Sequence, residues 1–343
     1  FLLGLFFSLV STSLIASDKL DTKSYYFFFK HTAYITIAIT ILIIFSFLNQ
    51  KILTKFSFIL FLVAFLSLLL VPFLGIEVKG SKRWLDLIFL PRFQPVEIIK
   101  PFFIVTLSLM LTMQSRRLYL KYFLSTLFII PILMLLIYQP DIGQTILIAM
   151  TWLALIFVSG INIFIFFAFF LLVGTIVSYL VIFIPKFEYI KIRLLAFFDA
   201  NSGNNYQAEK ASDAIINGGF FGKGIGEGTL NSRVPEAHTD YIVSVISEEF
   251  GAIIVIGILF LYLIFSYKVI QKINFLKEDE AKLILIGCVS LILLQTFIHV
   301  GVNIRILPTT GMTLPFLSYG GSSIVSTAIV SGIILNLTKR KLD

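Results

Sequence analysis

Residues 142–185 read IGQTILIAMTWLALIFVSGINIFIFFAFFLLVGTIVSYLVIFIP, without a single Asp, Glu, Lys or Arg. The hydrocarbon core of a bilayer is about 30 Å thick and takes about 20 mostly apolar residues in a spanning helix. As one helix rising about 1.5 Å per residue, this run would reach roughly 66 Å, about twice that depth. It must fold back on itself, and Gly160 with Asn162 marks the turn. This stretch alone predicts two membrane passes.

Working outward, further uncharged runs cover 1–17, 32–50, 56–76, 101–115, 122–140, 250–267, 283–304 and 306–338, so the expected fold class is an all-α polytopic membrane protein with ten transmembrane helices. The chain is 58% hydrophobic and 13% charged, whereas soluble domains are about 45–50% apolar and about 25% charged. Such a chain lacks the polar coat that water requires. The first run lacks a basic leader and a small-x-small cleavage site, so it reads as a span and not a signal peptide. Phe1 in place of an initiator Met predicts a trimmed start. Cys288 is the only cysteine and lies within a run, which rules out an internal disulfide.

Orientation follows from the basic residues, which favour the cytoplasmic side. With the N-terminus inside, the inner loops hold Lys51, Lys55, Arg116, Arg117, Lys121, Lys268, Lys272, Lys277, Lys282, Lys339, Arg340 and Lys341, against Glu278, Asp279, Glu280 and Asp343. The remaining charges cancel, so the whole formal charge of +8 falls on the inner face. The basic balance therefore expresses membrane topology, and no nucleic-acid partner is expected.

Four polar segments break the apolar pattern, and counting passes puts all of them on the outer face. They are 75–100, 139–144, the long loop 186–240 between spans 7 and 8, and 303–323. In the first, Arg92, Gln94, Glu97 and Lys100 crowd the start of span 4, with Glu97 and Lys100 on one helix face. Two readings fit: a snorkelling interfacial pair, or a cationic site for a pyrophosphate head group. Asp141, in QPDIGQ, suits either a helix cap or a carboxylate that binds a metal or pairs with a cation. In the long loop, Tyr206 to Asn217 has Ala and Ile at helical spacing, and GGFFGKGIGEG allows positive φ and close backbone approach.

The segment PEAHTDYIVSVISEEFG, Pro235 to Gly251, places His238 and Asp240 at the mouth of span 8, with Glu248 and Glu249 about two turns deeper. Asp240 suits a helix N-cap or a general base that takes a proton from an attacking hydroxyl. His238 fits a loop-holding or a substrate-binding role. Glu248 is expected to pair with a buried cation or to stabilise the bundle. Between Asn303 and Ser323, Pro308, Gly311 and Pro315 forbid a smooth helix. Ser318 and the residues after it open span 10, either as an anion-receiving helix start or as a small-residue packing face.

RFQPVEIIK, QPDIGQT, FFGKGIGEG, PEAHTDYIVSVISEEFG and LPTTGMTLPFLSYGGSS occur in the order found in the SEDS family (FtsW, RodA and SpoVE), which this chain resembles from about Gly80 to Ser323. PEAHTD and LPTTGMTLP look more like its division members than its elongation members. The resemblance implies one SEDS-type membrane domain over 1–343 and peptidoglycan glycosyltransferase activity on lipid II, an undecaprenyl-pyrophosphate-linked disaccharide peptide. It implies a catalytic role for Asp240 and substrate-binding roles for Arg92, Gln94, Glu97, Lys100, Asp141, His238 and Ser318. It implies a class B penicillin-binding partner (FtsI-like), other divisome proteins, and a bacterial inner-membrane location with a periplasmic active face at the division septum. A divalent cation, Mg or Mn, is the cofactor a pyrophosphate leaving group would accept, although no metal ligands are assigned. Val96 departs from the family pattern, which has a small residue there, often Ser. The chain also begins without the cytoplasmic tail of the division members.

Two other classes compete. A lipid II flippase would also use intramembrane charges and broken helices, but it needs polar groups along the whole path, and spans 2, 3 and 7 carry no charge. A non-catalytic division scaffold would have no need of the outer polar clusters.

Overall fold

The computed structural model describes residues 1–12, 25–78, 80–87, 90–113, 119–184, 187–198, 206–230 and 233–339. Arg116, Arg117, Arg340, Lys341 and Asp343 lie outside them, as do the end of the first expected span and parts of the long loop. The helices are α1 (Leu2–Phe7, continued by a π-helical turn Ser8–Thr12), α2 (Tyr26–Phe47), α3 (Gln50–Leu74), α4 (Pro95–Thr112), α5 (Leu120–Tyr138), α6 (Ile142–Val158) and α7 (Ile163–Phe183). They continue with α8 (Glu188–Phe198), α9 (Tyr206–Gly218), α10 (Ile242–Phe250), α11 (Ala252–Ile273), α12 (Asp279–Asn303) and α13 (Gly321–Thr338). Among the described residues, seven helices are long and apolar enough to cross a membrane: α2 to α5 and α11 to α13. The chain is a multi-pass membrane protein. α6 is apolar but shorter, and the long uncharged run does turn between α6 and α7, where Gly160 takes a φ of +87°.

α4, α12 and α13 form the centre of the bundle, with most of their residues buried, whereas α2, α3, α5 and α11 bury only a minority of theirs. α13 packs along α2 and α4, and α12 packs along α4 and α6. Exposed Ile, Leu and Phe on the outer helices, such as Phe47, Phe73 and Phe260, are what a lipid-facing wall presents. The helix ends sort onto two faces. On one, Asn336 donates to the carbonyl of Phe45 at 2.9 Å, Lys339 to that of Ser46 at 3.0 Å, and Gln50 bonds Glu278. The polar segments meet at the other.

Three local features depart from the sequence reading. Residues 76–93 form a three-stranded antiparallel sheet, β1 (Ile76–Val78), β2 (Ser81–Leu87) and β3 (Leu90–Phe93), within a fold expected to be wholly helical. Its first turn is closed by Gly80 at φ +75°, the conformation a tight hairpin demands. The helices of spans 2 and 3 start six residues before the uncharged runs, because Lys30 is carried within the first two turns of α2, and Lys51 and Lys55 within those of α3. The expected eighth span is broken at Gly251 into α10 and α11.

The glycine-rich loop explains that break. Gly222 lets backbone meet backbone: a Cβ on it would lie 2.2 Å from the Glu249 carbonyl oxygen, and one on Gly251 would lie 2.2 Å from that of Phe220. In this contact the amides of Lys223 and Gly224 donate to the carbonyls of Glu248 and Glu249 at 2.9 and 3.0 Å, and Ala252 donates to Gly219 at 2.9 Å. The loop thereby caps both sides of the break. Gly251→Ala combines that clash with a φ of +88°. It is expected to cost ~1–3 kcal/mol, read as a lower thermal midpoint and faster proteolysis within 218–230.

Candidate active site

The segment from Ile304 to Gly320 is not helical and descends into the bundle instead of running over it. Irregular backbone at membrane depth survives only where protein or water satisfies it, and here protein side chains do. His299 Nδ1 bonds the Met312 carbonyl at 2.7 Å, Gln295 donates to that of Thr313 at 2.9 Å, and the Tyr262 hydroxyl bonds that of Pro315. Gln295, His299 and Asn303 recur every four residues and form one uncharged polar stripe on the second half of α12.

The foot of α4 meets this segment. Lys100 Nζ lies 2.6 Å from Glu97 Oε2 with the two side chains 1% and 4% exposed, and it donates to Gln295 Oε1 at 3.2 Å. Gln144, from the first turn of α6, donates to Glu97 Oε1 at 2.6 Å. Gln94 donates through Nε2 to Asp141 Oδ2 at 2.9 Å and through its backbone amide to Ser322 Oγ at 3.0 Å. Asp141 Oδ1 accepts from the Gln144 amide at 3.4 Å, so Asp141 both caps α6 and faces cations. Arg83, on β2, places its Nε 4.0 Å from Asp141 Oδ2 and bonds the carbonyls of Gln139 and Pro140. Burial pushes the Asp141 carboxyl up, and Arg83 opposes that shift.

Asp240 approaches from the other side. Its Oδ2 lies 3.4 Å from the position a Cβ would take on Gly311, whose φ is +69°. Gly311 and Thr313 are two residues apart, at most about 7 Å along an extended chain, and Thr313 is bonded to the Lys100 partner Gln295. The N-cap of α10 is Tyr241, not Asp240, and burial followed by the Asp240 charge pushes the Tyr241 phenol up. Asn303 fixes this turn: its Nδ2 donates to the Asp240 carbonyl at 3.1 Å, and its Oδ1 accepts from Ser244 Oγ at 2.7 Å. Ser318 donates to the Thr239 carbonyl at 2.7 Å and accepts the Leu314 amide at 2.8 Å. The His238 carbonyl accepts from the Tyr319 amide at 3.0 Å, and its ring packs on Phe27 and Tyr319 at 5.4 and 5.6 Å.

The structure thus gathers Gln94, Glu97, Lys100, Asp141, His238, Asp240 and Ser318 around one re-entrant segment. Arg92 stands apart on β3, 67% exposed and 2.7 Å from Asp86. Glu248 has no cation beside it among the described residues; its Oε1 accepts from Asn217 Nδ2 and the Leu230 amide, both at 2.8 Å, and so ties the long loop to α10. Sequence reasoning passed over Arg83, Gln144 and the stripe on α12. The stripe is uncharged, so counting charges never touched it, although its four-residue spacing was there to be read. No three of His, Cys, Asp or Glu among the described residues gather as a metal cage. Asp141 and Glu97 are already engaged, so this donor set does not fit a resident cation, and no step below runs through one.

Comparison with known proteins bears on this arrangement. The chain is 34% identical to the probable peptidoglycan glycosyltransferase FtsW of Coxiella burnetii, with 95% of this chain and 90% of that protein covered. It is 29% identical to the protein of the same name from Caulobacter vibrioides, covering 99% and 86%. Its fold matches a chain solved within a peptidoglycan synthase complex, where polymerization and crosslinking are coordinated, with a TM-score of 0.77 at 23% identity over 98% of this chain and 96% of that one. It also matches the rod shape determining protein RodA of Thermus thermophilus, with a TM-score of 0.67 at 23% identity over 98% and 95%. The sequence profile of the cell cycle protein family that joins FtsW, RodA and SpoVE spans residues 1–342, and this chain belongs to that family.

Proposed function

We propose that the chain is a peptidoglycan glycosyltransferase that polymerises lipid II into glycan strands during cell division, acting as one ten-span domain at the periplasmic face of the inner membrane at the septum. The observation that carries this reading is the placement of the Asp240 carboxylate beside Gly311, on a segment bonded through Gln295 to the buried Lys100–Glu97 pair. A half-buried carboxylate at the mouth of such a site suits proton removal from an alcohol.

In this reaction Asp240 takes the proton of the acceptor's GlcNAc 4-hydroxyl, whose oxygen attacks C1 of the donor's MurNAc. The bond from C1 to the pyrophosphate oxygen breaks, the configuration at C1 inverts, and undecaprenyl pyrophosphate leaves with the electron pair. Lys100 is sealed and ion-paired, so it acts as a fixed charge beneath the site, where a preorganised field is strong. Arg92 acts by contact: its exposed pairing with Asp86 is worth only ~0–1 kcal/mol and exchanges readily for a phosphate. Gln94, Glu97 and Asp141 hold the anion site in shape, while His238 and Ser318 hold the turn that carries Asp240.

A flippase is the second reading. Against it, the buried Asp, Glu and Lys side chains among the described residues, namely Glu97, Lys100, Asp141, Glu248 and Glu249, all lie toward one end of the bundle. A transport path would carry such groups across its length. The proposed partner is a class B penicillin-binding protein, in keeping with the complex that supplies a similar fold. The test is purified chain with lipid II, alone and with an FtsI-like partner. Glycan strands on a gel support the reading, and lipid II translocation without strands overturns it.

Asn303→Ala removes the bond to the Asp240 carbonyl and leaves Ser244 buried without its acceptor. It is expected to cost ~1–3 kcal/mol of stability and to slow polymerisation about tenfold, one decade per ~1.4 kcal/mol of barrier. Measuring strand formation at a temperature where the variant is fully folded separates the two effects.

A further inference from the structure

A cavity of about 870 Å³ opens at the other end of the bundle, where α4, α6 and α11 end and α5, α7 and α12 begin. It is remote from the candidate active site: α12 runs from Asp279 at the cavity to Asn303 beside Asp240. Its rim carries Tyr119, Lys121, Asn162 and Lys282, and its floor includes Leu111 and Ile286. Lys282 is held by Asp279 at 2.8 Å, whereas Lys121 lies 5.1 Å from the Tyr122 ring centre and meets no carboxylate among the described residues.

Both halves of this lining constrain the ligand. A free inorganic anion has no use for an apolar floor, and a bare acyl chain has no use for lysines at the rim. Tyrosines beside cations mark head-group depth in a membrane, and basic pockets between helices on the cytoplasmic side receive anionic lipid head groups. The volume lies within the usual range for ligand cavities, about 300–1,000 Å³, which accommodates a head group with its glycerol. The same end of the bundle carries Lys51, Lys268, Lys272 and Lys277 beside Lys121 and Lys282, against Glu278, Asp279 and Glu280, so the balance of charge there favours an anion.

We propose that this cavity seats the phosphodiester head group of an anionic glycerophospholipid from the adjacent leaflet, with Lys121 as its counter-charge and the acyl chains leaving between the helices. The proposal depends on membrane topology and not on the glycosyltransferase reading, so either can fail alone.

The test titrates the full-length chain in mild detergent with dioleoyl phosphatidylglycerol and counts retained lipid by native mass spectrometry, with dioleoyl phosphatidylcholine and inorganic phosphate as parallel arms. The expected result is one phosphatidylglycerol held per chain, with apparent affinity at least tenfold weaker in Lys121→Glu and unchanged in Lys30→Glu, at the opposite end of the bundle. Should Lys121→Glu fold poorly, Lys121→Gln is expected to show a weaker loss of the same kind. Equal retention of the two lipids, equal retention by wild type and both Lys121 variants, or displacement by millimolar inorganic phosphate would each overturn the assignment.

Discussion

Asp240→Asn is expected to lower strand formation from lipid II by ~10²–10⁴-fold, the usual worth of a positioned general base, while the chain stays folded. The substitution preserves size but replaces a basic, acceptor-only carboxylate with a neutral amide that does not take up the proton. Its backbone bonds survive, because Asn303 donates to the carbonyl and not to the side chain. Unchanged elution on size exclusion and an unchanged thermal midpoint establish the fold, and gel-resolved products give the rate. Strand formation within tenfold of wild type would remove Asp240 from the role of base.

The second large effect concerns the pair at the foot of α4. Lys100→Met leaves Glu97 buried beside Gln144 with no counter-charge, and breaking a buried pair on one side typically costs ~3–5 kcal/mol. The thermal midpoint in detergent is expected to fall sharply. Glu97→Gln combined with Lys100→Met removes both charges and is expected to recover most of that loss, because buried pairs are often replaceable as a unit. Polymerisation is not expected to recover with stability, since the fixed charge beneath the site is gone. A double variant that regains both would make the pair purely structural. One that regains neither would mean that Gln144 and Gln295 cannot rearrange around neutral partners.

Much of the architecture was legible in the residues because a bilayer imposes a single strict length and polarity rule. The turn at Gly160 followed from a run too long for one pass. The amphipathic helix of the long loop followed from Ala208, Ala211 and Ala214, which the structure buries. What was not legible has a common cause. Residues 242–267 read as one helix entering the membrane, whereas the break at Gly251 depends on backbone contact with Phe220, 31 positions away in the chain. The small sheet at 76–93 sits where polar interface residues obey neither a helical nor a strictly alternating pattern. The position of Arg92 outside the cluster, with Arg83 inside it, is a consequence of that sheet, whose register no local spacing revealed. The descent of the 304–320 segment was signalled by its prolines and glycine, but its depth is set by Gln295, His299 and Tyr262 on two other helices.

The most direct test of a single shared site is a lipid II analogue with a photoreactive group next to the pyrophosphate, bound to the full-length chain and mapped by peptide mass spectrometry. The account predicts labelling of both 235–245 and 308–323, lost when unlabelled lipid II competes. Labelling confined to the opposite end of the bundle, or to the lipid-facing helices without either segment, would contradict it.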